Sequence, residues 1–132
     1  MEKKSEALIP LAKEACEMAY APYSKFPVGC VILSKDGNSY TGCNIENISF
    51  GLTICAERAA ISKAISEEGP EFKIDTVIIY TPTKVPITPC GACRQVLREF
   101  GDDFYVTSIC DSGSIAKEHI SVLLPSSPDI RL

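Results

Sequence analysis

The chain has 132 residues, 45% of them hydrophobic and 23% charged, with thirteen basic against seventeen acidic side chains for a net charge of −4. This length suits one domain over 1–132; the composition excludes a disordered chain, and the acidic balance gives no electrostatic reason to follow a phosphate backbone, so nucleic acid is not an expected partner. No apolar run approaches the ~20 residues of a membrane helix, and residues 1–6 carry neither a signal core nor a cleavage site, which points to no membrane and to a cytoplasmic setting.

The first segment, to Tyr20, repeats Leu8, Leu11, Ala12, Ala15, Met18 and Ala19 at three- and four-residue steps and predicts a helix. Pro10 inside it marks either a kink or a late start. Tyr20-Ala21-Pro22-Tyr23-Ser24 breaks that helix. Residues 28–33 and 39–44 flank Lys35-Asp36-Gly37-Asn38, whose Asp-Gly predicts a hairpin. An irregular stretch, 45–53, leads into a helix over 55–66, with Ala59, Ala60, Ala64 and Ile65 at helical spacing and Gly69-Pro70 as its stop. Residues 76–80 form a β-branched run suited to a buried strand. A proline-punctuated loop, 81–89, precedes a helix from Gly91 to Phe100, closed by Gly101. Residues 104–110 predict another strand, Ser112-Gly113 a turn, and 121–124 a short last element stopped by Pro125. Helix, hairpin, helix, strand, helix, strand is an α/β order: a mixed sheet with helices packed on its faces.

Seven cysteines cannot all pair within one chain, and a chain of this length needs no covalent staples. Reduced thiols, serving metal or catalysis, are the simpler reading. Pro89-Cys90-Gly91-Ala92-Cys93 puts a C-x-x-C at a predicted helix start, where positions three apart lie side by side. Cys55 opens the other helix and must be brought in by tertiary structure. Three thiolates and one water make the open, catalytic arrangement of zinc, so Zn2+ is the expected cofactor. Both motifs sit at helix N-termini, where free N–H groups and the helix dipole favour the thiolate. Arg58 is positioned to offset the surplus negative charge by donating to the sulfurs. Glu57 reaches the same point only if Cys55 is a cap residue and Glu57 lies in the first turn. There it would take a proton from zinc-bound water and deliver it to the substrate. A lone C-x-x-C is open to redox or structural readings, but the order C-x-E … P-C-x-x-C is the thiolate version of the zinc-deaminase signature H-x-E … P-C-x-x-C.

With those motifs in place, the sequence resembles the small homotetrameric cytidine deaminases. The matching blocks are Ala21-Pro22-Tyr23-Ser24-Lys25-Phe26-Pro27-Val28-Gly29, Gly42-Cys43-Asn44-Ile45-Glu46-Asn47, Cys55-Ala56-Glu57-Arg58-Ala59 and Pro89-Cys90-Gly91-Ala92-Cys93-Arg94-Gln95-Val96. The resemblance implies a three-layer α-β-α sandwich around a mixed, roughly five-stranded sheet. It also implies hydrolytic deamination of cytidine, and of deoxycytidine, in pyrimidine salvage. Cys55, Cys90 and Cys93 then hold zinc, zinc-bound hydroxide attacks C4 of the base, and Glu57 shuttles the proton. By the same likeness Phe26 packs on the pyrimidine ring, Asn44 and Glu46 hold the ribose hydroxyls, and the backbone of Ala56 reads the amide edge of the base. The expected partners are a nucleoside and, in a homotetramer, neighbouring subunits that complete each pocket.

Two departures from the family stand out: Phe50 where a tyrosine is common, and a tail, residues 126–132, without the aromatic that relatives often send toward a neighbour's base pocket. A deaminase of a modified cytosine nucleoside, like the blasticidin S enzymes, is the alternative within the fold, and Phe26, Asn44 and Glu46 argue against it. A zinc-stabilised module without activity is the alternative outside it, and it leaves Glu57 without a task. The remaining candidates are read as structural: His119 as a surface or satisfied residue, Cys16, Cys30, Cys43 and Cys110 as small core hydrophobes, Arg94 and Gln95 as capping or packing.

Overall fold

A computed structural model describes residues 1–130. Helix α1 spans Lys3–Glu17 and buries Ser5, Leu8, Ala12 and Cys16, a stripe at three- and four-residue steps. It starts at Lys3 and carries Pro10 in its interior, so the late start is ruled out. Pro10 lies on the exposed side, where water can take the Glu6 carbonyl that loses its donor. The helix stops at Glu17, short of the predicted Tyr20, because the Tyr20 amide donates to the Asn44 carbonyl and draws the chain into a bridge with Ile45.

Strands β1 (Gly29–Ser34) and β2 (Ser39–Cys43) form the predicted hairpin, with Gly37 at φ +90° supplying the conformation its turn needs. A short 3-10 turn, Phe50–Leu52, precedes α2 (Ala56–Glu68), whose end falls at Gly69, φ +82°. Strand β3 (Ile74–Tyr80), α3 (Gly91–Arg98) and β4 (Tyr105–Ile109) follow, each within a few residues of its expected bounds. Strand β5 (Ile115–His119) has no counterpart in the sequence prediction, and the last element is α4 (Ile120–Leu123). Ile115-Ala116-Lys117-Glu118-His119 lacks an apolar alternation because it is an edge strand paired only with β4, and charged side chains suit an edge.

The sheet order is β2-β1-β3-β4-β5, parallel between β3 and β4 and antiparallel elsewhere. Alternation along the strands builds two cores. Val31, Ile78 and Ile109 face α1 through Leu8 and Ala12. Cys30, Ile32, Val77, Ile79 and Val106 face the opposite way, toward α2, α3 and α4. The result is the three-layer sandwich, with β3 buried on both faces as its β-branched run requires.

Two glycines set how closely the helices lie on the sheet. A Cβ at Gly29 would stand 2.0 Å from the Ala12 carbonyl oxygen of α1, and one at Gly42 would stand 2.4 Å from the Ala56 carbonyl oxygen of α2. At both positions a bare Cα lets helix backbone rest directly on a strand.

Candidate active site

The N-termini of α2 and α3 open at the same place. Cys55 is the cap residue of α2 and Cys90 that of α3, both in extended conformation and neither spending its side chain on a cap hydrogen bond. Cys93 lies in the first turn of α3, fully buried. The three sulfurs lie within 4.8 Å of one another, and among the described residues no fourth cysteine, histidine, aspartate or glutamate joins them. Three thiols without a fourth ligand fit zinc in its open arrangement. A thiol donated by Cys93, together with Arg58, holds Cys55 well below the usual thiol range, while Cys93 is pushed up by donating to Cys55 and by burial. The cluster therefore holds a thiolate ready for a metal, and metal binding would release the remaining protons.

Arg58 donates from Nη2 to Cys55 Sγ at 3.5 Å and to the Thr53 carbonyl at 3.2 Å. Glu57 is the second residue of α2 and only 5% exposed. Burial, then the Cys55 charge, raises its pKa above the ordinary carboxylate range, against a hydrogen bond from its own backbone. A carboxyl in that position can hold and release a proton nearer neutrality.

Glu57, Cys55 and Cys90 line a cleft of about 240 Å³, which Arg58 and Cys93 back without lining. Cys55, Ala56, Glu57 and Cys90 are at one end, with Val28, Ile79, Ile87 and Pro89 as apolar wall. Asn44 also borders the cleft, but its amide is anchored: Oδ1 accepts from the Val28 amide at 2.9 Å and Nδ2 donates to the Phe26 carbonyl at 2.8 Å. Glu46 and Phe26 do not line the cleft. Glu46 borders an adjacent hollow of about 420 Å³ with Tyr23, Ser24 and Phe50, and Thr53 lines both spaces. Its carboxylate accepts from the amides of Tyr23 and Ser24 and from the Ser24 hydroxyl, which holds it below the usual carboxylate range. Phe26, 37% exposed, follows Lys25 at φ 59° on the loop that Asn44 and Glu46 anchor.

Sequence reasoning missed the wall contributed by Ile87 and Thr88, since a proline-rich loop has no periodicity; Pro89 in the P-C-x-x-C motif was the available signal. Among the residues read as structural, His119 caps α4 and hydrogen-bonds Asp103 at 2.9 Å and Ser121 at 2.8 Å. Cys16, Cys30 and Cys110 are buried, whereas Cys43 is half-buried. Cys110 also hydrogen-bonds Lys84, Ser112 and Ser114, so it ties a turn as well as packing. Of the tail, Ser127 accepts from Gln95 at 3.2 Å and Pro128 and Ile130 lie beside Lys73 and Arg98, away from this chain's own cleft. Arg131 and Leu132 fall outside the described residues.

Comparison with known proteins agrees with this chemistry. The family model described as "Cytidine and deoxycytidylate deaminase zinc-binding region" matches residues 2–108. A cytidine deaminase of Sporosarcina psychrophila is 46% identical over 125 residues, covering 92% of this chain and 89% of its own. The crystal structure of cytidine deaminase from Burkholderia pseudomallei superposes with a TM-score of 0.86 at 39% identity, over 96% of this chain and 99% of that one. A blasticidin-S deaminase of Bacillus cereus is more distant, 30% identical over 127 residues, with 89% and 87% of the two chains covered. Three clustered thiols, a buried glutamate between two helix starts and a match over most of the chain together make this protein a member of the cytidine and deoxycytidylate deaminase family.

Proposed function

We propose that the chain hydrolyses cytidine, and deoxycytidine, to uridine or deoxyuridine and ammonia, as a pyrimidine-salvage enzyme. The observation that carries this is Glu57, a buried carboxyl with a raised pKa that lines one cleft with Cys55 and Cys90 of the three-thiol cluster; a purely structural zinc site has no use for it. Zinc held by Cys55, Cys90 and Cys93 supplies the Lewis acidity that makes water a nucleophile at neutral pH. Glu57 would take a proton from that water and give it to N3 of the base as oxygen adds to C4. It would then take the remaining proton from the new C4 hydroxyl and pass it to the amino nitrogen, which leaves as ammonia as the C4–N bond breaks and the C4 carbonyl forms. Arg58, donating to the Cys55 sulfur, offsets the negative charge of three thiolates. The Ala56 backbone reads the amide edge of the base, Phe26 packs on the ring, and Asn44 and Glu46 hold the ribose hydroxyls with the capacity their loop-anchoring bonds leave free. The greater identity to cytidine deaminases than to the blasticidin-S enzyme favours the unmodified nucleoside.

The enzyme works as a homotetramer. Large apolar side chains of the 45–54 stretch stand in solvent in the single chain, Ile48 at 80% and Phe50 at 71% together with Ile45 and Leu52, and the exposed Tyr20 bridges to Ile45; Phe50 borders the hollow that holds Glu46. An apolar surface of this kind is a subunit contact. Seven free thiols suit a reducing cytoplasm, and no helix among the described residues is long and apolar enough to cross a membrane. Loss of the cytidine ultraviolet band on incubation with purified, zinc-loaded protein tests the activity. Glu57→Gln is expected to keep its zinc and lose turnover by ~10²–10⁴-fold. Cytidine left unchanged by the wild type, or full turnover by Glu57→Gln, would overturn the reading.

A further inference from the structure

The loop 81–90 ends in Cys90 and contributes Ile87, Thr88 and Pro89 to the cleft wall. Prolines at 82, 86 and 89 remove three amide donors from it, and the hydrogen bonds of Thr83, Cys110 and Asp111 tie only its first half, up to Val85. One side chain grips its final residues. Arg94, in the first turns of α3, donates from Nε to the Pro89 carbonyl at 2.7 Å, from Nη2 to Thr88 Oγ1 at 3.1 Å and from Nη1 to the Leu123 carbonyl at 3.0 Å. All three nitrogens of the guanidinium are engaged, each with an acceptor on a different residue. The planar fork is what makes this possible: a lysine ammonium in the same place is a single point donor and cannot span the three.

The three thiols differ in what keeps them in position. Cys93 is buried within α3, and Cys55 is backed by Arg58. Cys90 is exposed, and the carbonyl of the residue before it is the one Arg94 holds. We propose that Arg94 is the positioning residue for Cys90 and for the 87–89 wall, locking the loop to α3 and to the end of α4 so that the exposed thiol and the cleft surface keep their places together. Arg94 does not itself line the cleft, so it acts through the loop. The inference rests on the proposed zinc site and nucleoside pocket.

The test compares zinc-loaded wild type, Arg94→Lys, Thr88→Val and, as control, Arg98→Gln, one turn further along α3 on the side where the tail lies. Zinc release to a chromophoric chelator is followed alongside kcat and KM for cytidine. Arg94→Lys is expected to release zinc about tenfold faster, the lower end of what losing a partner behind a metal ligand costs, and to raise KM with kcat little changed. Thr88→Val, which removes one of the three contacts, is expected to move both quantities the same way by less, and it decides the question if Arg94→Lys does not fold. Wild-type release rates in Arg94→Lys or, failing that, in Thr88→Val overturn the proposal, as does equal acceleration in Arg98→Gln. Wild type that holds zinc but leaves cytidine intact would instead overturn the functional reading, while the release rates would still judge Arg94.

Discussion

Gly42→Ala probes how far the site depends on the close seat of α2 on β2. The new Cβ would meet the Ala56 carbonyl oxygen at 2.4 Å, the Ala60 amide nitrogen at 2.5 Å and the Ala59 Cβ at 3.0 Å. The two shortest contacts are with helix backbone, which has no rotamer to escape into, so α2 must retreat by about 1 Å to regain ordinary separation. Overpacking of this kind costs about 1–3 kcal/mol. The retreat also carries Cys55, Ala56 and Glu57 away from Cys90 and Cys93, which stay with α3, and a misplacement of ~1 Å is worth about 10²-fold in rate. Gly29→Ala is the matched control: its Cβ would meet the Ala12 carbonyl oxygen at 2.0 Å and the Cys16 amide nitrogen at 2.6 Å, on α1 and the opposite face, where none of the proposed site residues lies. Urea unfolding at one protein concentration and cytidine turnover followed in the ultraviolet measure the two consequences. Both variants are expected to lose stability, and Gly42→Ala alone to lose about two orders of magnitude in kcat. Wild-type turnover in Gly42→Ala, or an equal loss in Gly29→Ala, would refute the reasoning.

Two further outcomes follow from the site and the surface beside it. Arg58→Gln removes the charged donor to Cys55 Sγ and should speed zinc loss to a chelator and lower turnover, with elemental analysis and steady-state kinetics as the checks; unchanged values for both would return Arg58 to an ordinary loop contact with the Thr53 carbonyl. Leu52→Glu puts a charge on the exposed apolar surface and should shift the proposed tetramer to smaller species by light scattering, with turnover falling in step, as the proposal that neighbours complete the pocket requires. A tetramer of normal activity would remove that surface from the assembly.

Much of the chemistry is legible along the chain because it is local. Cys90 and Cys93 are three residues apart, Cys55 and Glu57 two, and a cap followed by one helical turn is enough to aim each pair, so spacing carried the two pairs, while the approach of Cys55 to Cys90 and Cys93 needed the fold. The β-branched run in β3 and the Asp-Gly hairpin are legible for the same reason, being decided by residues within a few positions of each other. What local pattern could not decide was anything set by partners distant in sequence. Strand β5 is invisible in Lys117 and Glu118 because pairing to β4, not burial, makes it a strand. Helix α1 ends early because Asn44, far along the chain, takes the Tyr20 amide. Asn44 and Glu46 stand out as polar residues of a matching block, yet only the fold reveals that both anchor the loop bearing Phe26. Gly29 and Gly42 sit in the matching blocks with no visible purpose until a helix backbone is laid on each. Arg94 looks like one more helix residue until Pro89, Thr88 and Leu123 converge on its guanidinium. The sequence by itself determined the candidate groups as two pairs, Cys55 with Glu57 and Cys90 with Cys93, since covalent neighbours bring each pair within reach. Tertiary structure brought the pairs together and decided how they are held, since backbone approach and the satisfaction of buried polar groups depend on segments that meet only after folding.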